Sequence, residues 1–183
     1  MGVAGSGKST WIQNNISGFE GNTTIISRDI IRFSMVKEGE DYFSKEKEVW
    51  KEYVRQARES ITGNDNTILD ATHLNEASRG KILRALGKDL KDVEINAIVI
   101  KTSLEKTLEQ NGQRTGLSLV PEDTIRRMYS SFTVPVLNEG FDNIWIYWTD
   151  KKEKYGITYS VFKKDGDRYG ATNLDEFGSS SGA

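Results

Sequence analysis

The chain of 183 residues has no cysteine and a single histidine. Disulfides, thiolate zinc sites, iron–sulfur clusters and cysteine nucleophiles are thereby excluded, and no pair of imidazoles exists to hold a metal. With 2 prolines and 17 glycines the chain is too poor in both for a collagenous or low-complexity protein, and 36% hydrophobic residues are too many for a disordered one. No apolar run approaches the roughly 18 residues of a membrane span, and the N-terminus has no apolar signal-peptide core, so a cytoplasmic setting is expected. Neither sign of charge dominates: 25 Lys and Arg stand against 27 Asp and Glu, a formal net charge of -2. The chain as a whole therefore does not attract a phosphate backbone, and nucleic-acid contact would have to come from a local cluster of Arg and Lys. The length fits one domain with a real core.

Short apolar runs alternate with longer segments of helical period, the pattern of an α/β fold with a parallel sheet flanked by helices. The runs are Thr23 to Ser27, Thr67 to Asp70, Glu94 to Lys101 and Asn143 to Thr149; several lack clean alternation, as strands covered on both faces do. Between them, Val49, Tyr53, Ala57 and Ile61 recur every four residues, which predicts a helix ending near Gly63. Asn75 and Ser103 are candidate helix caps, and Pro121 suits a first helical turn whose inner side carries Ile125, Met128, Tyr129 and Phe132. Two C-terminal runs, 157–163 and 168–172, flank a KDGD turn and predict a hairpin; GSSSGA (178–183) reads as a flexible tail. The expected organisation is a domain over residues 1–150, with 151–177 as a hairpin extension of it.

Residues 2–9, GVAGSGKS, match G-x-x-x-x-G-K-S/T in full. Gly5, Ser6 and Gly7 let successive N–H groups turn inward around a polyphosphate, and a helix from Thr10 onward would aim its positive end at the same oxygens. Lys8 would reach the β- and γ-phosphates, and the Ser9 hydroxyl would join the shell of a Mg²⁺ ion. Such a loop normally follows a buried strand, yet only Met1 precedes Gly2, so the first strand is expected to be missing. The opening also fits the M-G-x-x-x-S/T myristoylation pattern, but the loop already accounts for each residue and an acyl chain would obstruct it.

In an open parallel sheet, polar residues at the strand ends face one crevice. One run finishes in SRDIIRF, placing Asp29 just past the strand and Arg32 three residues on, a pair able to receive a hydroxyl proton and hold an anionic acceptor. The same two residues also fit a helix-capping Asp and a surface Arg. The next run finishes in DATHLN, where Asp70 and Thr72 could face an acceptor or Mg²⁺ waters, or Asp70 could cap the following helix. Arg114, bracketed by Gly112 and Gly116, is placed to swing over phosphates as a lid or to be an ordinary loop Arg. His73 reads as structural and the four tryptophans as packing; Arg79, Lys81, Arg84, Lys88 and Lys91 form a basic segment, a solvated face or a rail for nucleic acid.

Taken in order, GVAGSGKSTW, SRDIIR, DATHLN, QRTGLSLVPEDTIRRMYSSF and EGFD resemble the kinase half of phage polynucleotide kinase and its P-loop relatives, over residues 2–149. The resemblance implies ATP and Mg²⁺ as cofactors and the 5'-hydroxyl end of DNA or RNA as acceptor, in a host cytoplasm if the source is a phage. It also implies that Asp29 is the general base, Arg32 an acceptor-phosphate contact, Asp70 and Thr72 acceptor-side residues, and Lys8 with Arg114 the charge-neutralising pair. The nucleotide site would be Gly5, Ser6, Gly7, Lys8, Ser9 and Thr10. The phosphatase half of that enzyme has no counterpart, so 3'-end healing is not expected, and the lid carries one arginine where relatives offer several. Other relatives, such as zeta-toxin-like kinases, phosphorylate small molecules or nucleotide sugars, so that class of acceptor stays open, as does a modified base. A nucleotide-binding module without turnover is a further alternative, against which Asp29 at a strand end argues.

Overall fold

The computed structural model describes residues 1–37, 39–63, 66–153, 156–163 and 168–172. The expected KDGD turn and the GSSSGA tail lie outside the described residues. The fold is α/β, with short parallel strands flanked by helices. Strand β1 (Thr23–Ser27) pairs in parallel with β2 (Asn66–Asp70), Ser27 opposite Asp70. Strand β3 (Asn96–Lys101) pairs in parallel with β4 (Asn143–Glu153); β4 pairs antiparallel with β5 (Gly156–Lys163), and β5 with β6 (Arg168–Thr172). Parallel neighbours need crossovers. Helices α2 (Arg28–Met35) and α3 (Glu46–Thr62) supply the first; α5 (Leu104–Gly112) and α6 (Glu122–Ser131) supply the second. The boundary expected at 150 falls inside β4, which runs on to Glu153.

No strand precedes the glycine loop among the described residues. Instead Met1–Val3 stands between the two sheets: Ile100 N–H donates to the Met1 carbonyl (2.8 Å) and Gly2 N–H to the Thr72 carbonyl (3.0 Å). These two bonds tie β3 to the segment following β2 at the end where the loop begins. Beside them, a cavity of about 550 Å³ lies between β2 and β3, lined by Ile68, Leu69, Ile98 and Phe141 and also by Lys8, Asp70 and Arg79.

The helices form for local reasons. Helix α3 buries Val49, Tyr53, Val54 and Ala57 against Ile26, Ile31 and Ile82, and each fully buried large side chain contributes about 1.5–3 kcal/mol. Helix α4 (Glu76–Leu86) starts on a reciprocal cap in which Asn75 Oδ1 accepts from Ser78 N–H (3.0 Å) and Ser78 Oγ accepts from Asn75 N–H (3.1 Å). Ser103 caps α5 by accepting from Lys106 N–H. Two readings change. Tyr129 is not inward but 38% exposed, its hydroxyl reaching the Thr102 carbonyl. Arg79 is not part of a basic rail: it is 1% exposed and forked onto Glu139, with Thr133 also accepting. An ion pair between residues 60 apart is invisible to a local reading.

Candidate active site

The glycine loop leads into α1 (Lys8–Asn15). Gly5 and Gly7 lie at φ +86° and +92°, where side chains are strained, and a Cβ on Gly5 would sit 2.9 Å from the Thr107 carbonyl oxygen. The first intrahelical bond runs from Trp11 N–H to the Gly7 carbonyl (2.9 Å), so the N–H groups of residues 8–10 have no partner within the helix. Ser6 Oγ is buried without a hydrogen-bond partner among the described residues. A cradle of unspent donors at a helix N-terminus, with glycines where the backbone must bend, fits a polyphosphate. Lys8 Nζ donates to the Val3 carbonyl (2.9 Å). Burial pushes the Lys8 ammonium below its ordinary pKa, the carboxylates of Asp70 and Asp29 raise it, and the Arg114 guanidinium lowers it. Lys8 feels the charges of Asp29, Asp70 and Arg114, but it lines the cavity between β2 and β3 rather than the one lined by Asp29 and Arg114.

A cavity of about 830 Å³ opens beside the loop. Ser9, Asp29, Arg32, Asp70, Thr72 and Arg114 all line it, so the structure brings together residues from α1, α2, the end of β2 and the loop after α5. Asp29 sits in the first turn of α2, whose cap is Ser27 rather than Asp29 itself. Its side chain is 56% exposed, open to the cavity, while Oδ1 accepts from Arg32 (2.8 Å) and from the Tyr42 hydroxyl (3.1 Å). Arg32 is buried, not on the surface. One nitrogen of its fork holds Asp29, the other holds Glu46 Oε2 (2.7 Å), and its plane lies 4.6 Å from the Tyr42 ring centre. Arg28 pairs with the same Glu46 and stacks on Trp50. Arg114 is partly buried and donates to the Ser118 carbonyl of the following turn (3.5 Å). Burial, and then the Asp29 charge, push the Tyr42 hydroxyl above its ordinary pKa, so it stays a donor at neutral pH.

Tyr42 and Glu46 were not legible in the sequence. Glu46 meets Arg32 across 14 positions that include a loop, and a lone Glu in a first helical turn carries no signal beyond favouring the helix dipole. His73 is structural as expected: its Nε2 meets the Tyr53 hydroxyl at 3.2 Å in the core. Trp11 packs against Tyr147 with ring centres 5.0 Å apart. For a metal, no group of three or more His, Cys, Asp or Glu side chains forms a cage among the described residues. Mg²⁺ keeps most of its waters and takes one or two protein oxygens, which Ser9 and Asp70 on the cavity wall can supply.

A phosphate-cradling loop at a helix start, on an α/β frame with polar strand ends facing the same cleft, defines a P-loop nucleotide-binding protein. Residues 1–135 match the family described as an AAA domain, and the chain belongs to this family, a P-loop group that includes kinases. No curated protein matches the chain. Among the described residues no helix is long and apolar enough to cross a membrane.

Proposed function

We propose that the protein is an ATP- and Mg²⁺-dependent kinase that transfers the γ-phosphoryl group to an alcohol, the 5'-hydroxyl of a polynucleotide. The observation that carries the reading is the juxtaposition, in one cavity, of the loop's Ser9 with a carboxylate, Asp29, that faces the opening and is oriented by Arg32 and Tyr42. A nucleotide-binding module has no use for an oriented base opposite its phosphate loop; phosphoryl transfer does. Asp29 takes the hydroxyl proton as the acceptor oxygen bonds to phosphorus and the bond to the bridging oxygen of ADP breaks. Lys8 and Arg114 neutralise the charge that develops on the transferred group. Gly5, Ser6, Gly7 and Thr10 complete the nucleotide cradle, with Asp70 and Thr72 on the acceptor side. Ser9 would hold Mg²⁺, which when bound would supply electrostatic stabilisation of the phosphate oxygens.

A second acceptor class is favoured by one observation. Four carboxylates, Asp29, Asp41, Glu46 and Asp70, line the cavity against three arginines, and both ends of the Arg32 fork are already on carboxylates. Such a wall suits a neutral acceptor, so a small molecule or modified base is the alternative it favours; a nucleotide sugar, whose diphosphate is anionic, is the remaining acceptor of that class and gains nothing from the carboxylates. Incubation with γ-labelled ATP and a panel of 5'-OH DNA, 5'-OH RNA, nucleosides and nucleotide sugars decides between them. Label in the oligonucleotides supports the first reading; label confined to small acceptors replaces it with the second.

A further inference from the structure

Ten large hydrophobic side chains are conspicuously exposed among the described residues, and six of them line the one active-site cavity: Ile25, Ile30, Phe33, Phe43, Leu117 and Leu119. Singly exposed apolar residues need no explanation, but a cluster at a functional cleft marks a surface that a ligand covers. The six come from two separate stretches of chain, β1 with α2 and the loop after it, and the loop after α5. Phe43 is 56% exposed and Leu119 47%. The aromatic side is already ordered. Tyr42 meets Phe43 edge to face with ring centres 4.9 Å apart, Phe33 meets Tyr42 at 6.4 Å, and the Arg32 guanidinium backs Tyr42 and Phe43.

This surface begins one helical turn from the base. Asp29 and Phe33 are four residues apart on α2 and so share a face, about 6 Å from each other along the helix. In a nucleoside the 5'-hydroxyl and the base are separated by one furanose ring, a comparable span, and the base is flat and apolar on both faces. Sugars and short alcohols have no such group. Arg32, meanwhile, spends its fork on Asp29 and Glu46, and the apolar walls are a surface with contacts still to make beside Arg28 and Arg114. We infer that the acceptor is gripped by its terminal nucleobase, laid against Phe33 and Phe43 and covered by Leu117 and Leu119, rather than by its phosphate. The inference rests on the kinase reading above and makes Phe43 and Leu119 determinants of acceptor choice. Stacking of this kind tolerates all four bases, because each has a π face.

The test uses the full chain, γ-labelled ATP and two 5'-OH oligonucleotides that differ only in the 5'-terminal residue, one bearing a base and one an abasic tetrahydrofuran. The expected result is an acceptor KM roughly ten- to hundredfold higher for the abasic end, with kcat changed much less. Phe43→Ala, and independently Leu119→Ala, should collapse the ratio of the two KM values toward one while leaving the KM for ATP in place. Equal KM values for the two oligonucleotides with the unmodified chain, or a ratio that survives both substitutions, overturns the nucleobase grip and leaves the kinase reading standing. Transfer to neither oligonucleotide overturns the polynucleotide acceptor, and this inference with it.

Discussion

The two ends of the cleft are built from different materials. The phosphate end is made of backbone: two glycines at left-handed φ, a helix start with unspent N–H groups, and a lysine tethered to the Val3 carbonyl. The acceptor end is made of side chains from distant positions, with Asp29, Arg32, Tyr42 and Glu46 holding one another across a loop and Phe33 and Phe43 beside them. Backbone geometry is encoded in consecutive residues, so the first end is rigid and can be read from a motif. Side-chain networks depend on tertiary contact, so the second end can change its ligand without changing the fold. A change at one end therefore leaves the other in place, and the comparison can be broken from either side.

The largest effect is expected from Lys8→Ala, which removes the tethered charge from the phosphate end; transfer should fall by roughly 10²–10³-fold or more while the melting temperature stays within a few degrees. Steady-state kinetics beside a thermal melt checks both halves. Gly5→Ala attacks the backbone instead. Left-handed strain costs about 1–2 kcal/mol and the clash with the Thr107 carbonyl adds to it, so ATP affinity should drop by roughly tenfold or more. Gly7→Ala, with nothing within 4 Å of the added methyl, should lose less, and calorimetric titration of ATP ranks the pair.

At the acceptor end, Arg32→Ala frees Asp29 to rotate and leaves Glu46 with Arg28 alone. It should lower kcat by roughly tenfold and stability by about 2 kcal/mol, with the KM for ATP unchanged. A rise in acceptor KM alone would instead make Arg32 a direct grip on acceptor phosphate.

The smallest effect lies beneath the acceptor end. Burial, with help from the Met1 amino group and nearby arginines, lowers the His73 pKa from 6.5 to about 3. The fold favours neutral His73, so this stabilisation is complete above pH 6.5 and is lost as pH falls toward 3. Between pH 7 and pH 5 it amounts to about 2 kcal/mol. His73→Asn, which tolerates the φ of +42° there, should flatten the His73 part of the slope in denaturant titrations at the two pH values; an unchanged slope would assign it elsewhere.

The parts legible in sequence were local. The TTIIS run is β1, the four-residue recurrence of Val49, Tyr53 and Ala57 is the buried face of α3, and Asn75 and Ser103 cap α4 and α5. The glycine loop was legible because each residue answers a backbone requirement of its neighbour. Arg32 on Glu46 and Arg79 on Glu139 were not, since each pairs a helix residue with a partner beyond a loop. The aromatic wall escaped for a related reason: Phe33 and Phe43 fit a helix and a loop equally well as packing residues, and only their shared exposure to one cavity sets them apart.

The central claim, that Asp29 is the base of a kinase, is tested most directly by transfer of label from γ-labelled ATP to a 5'-OH oligonucleotide, with the unmodified chain beside Asp29→Asn. The amide keeps the shape and cannot accept the proton, so transfer should fall by roughly 10² or more while ATP affinity is retained. Equal transfer by the two chains, or a loss that appears only as weaker ATP binding, would contradict the account.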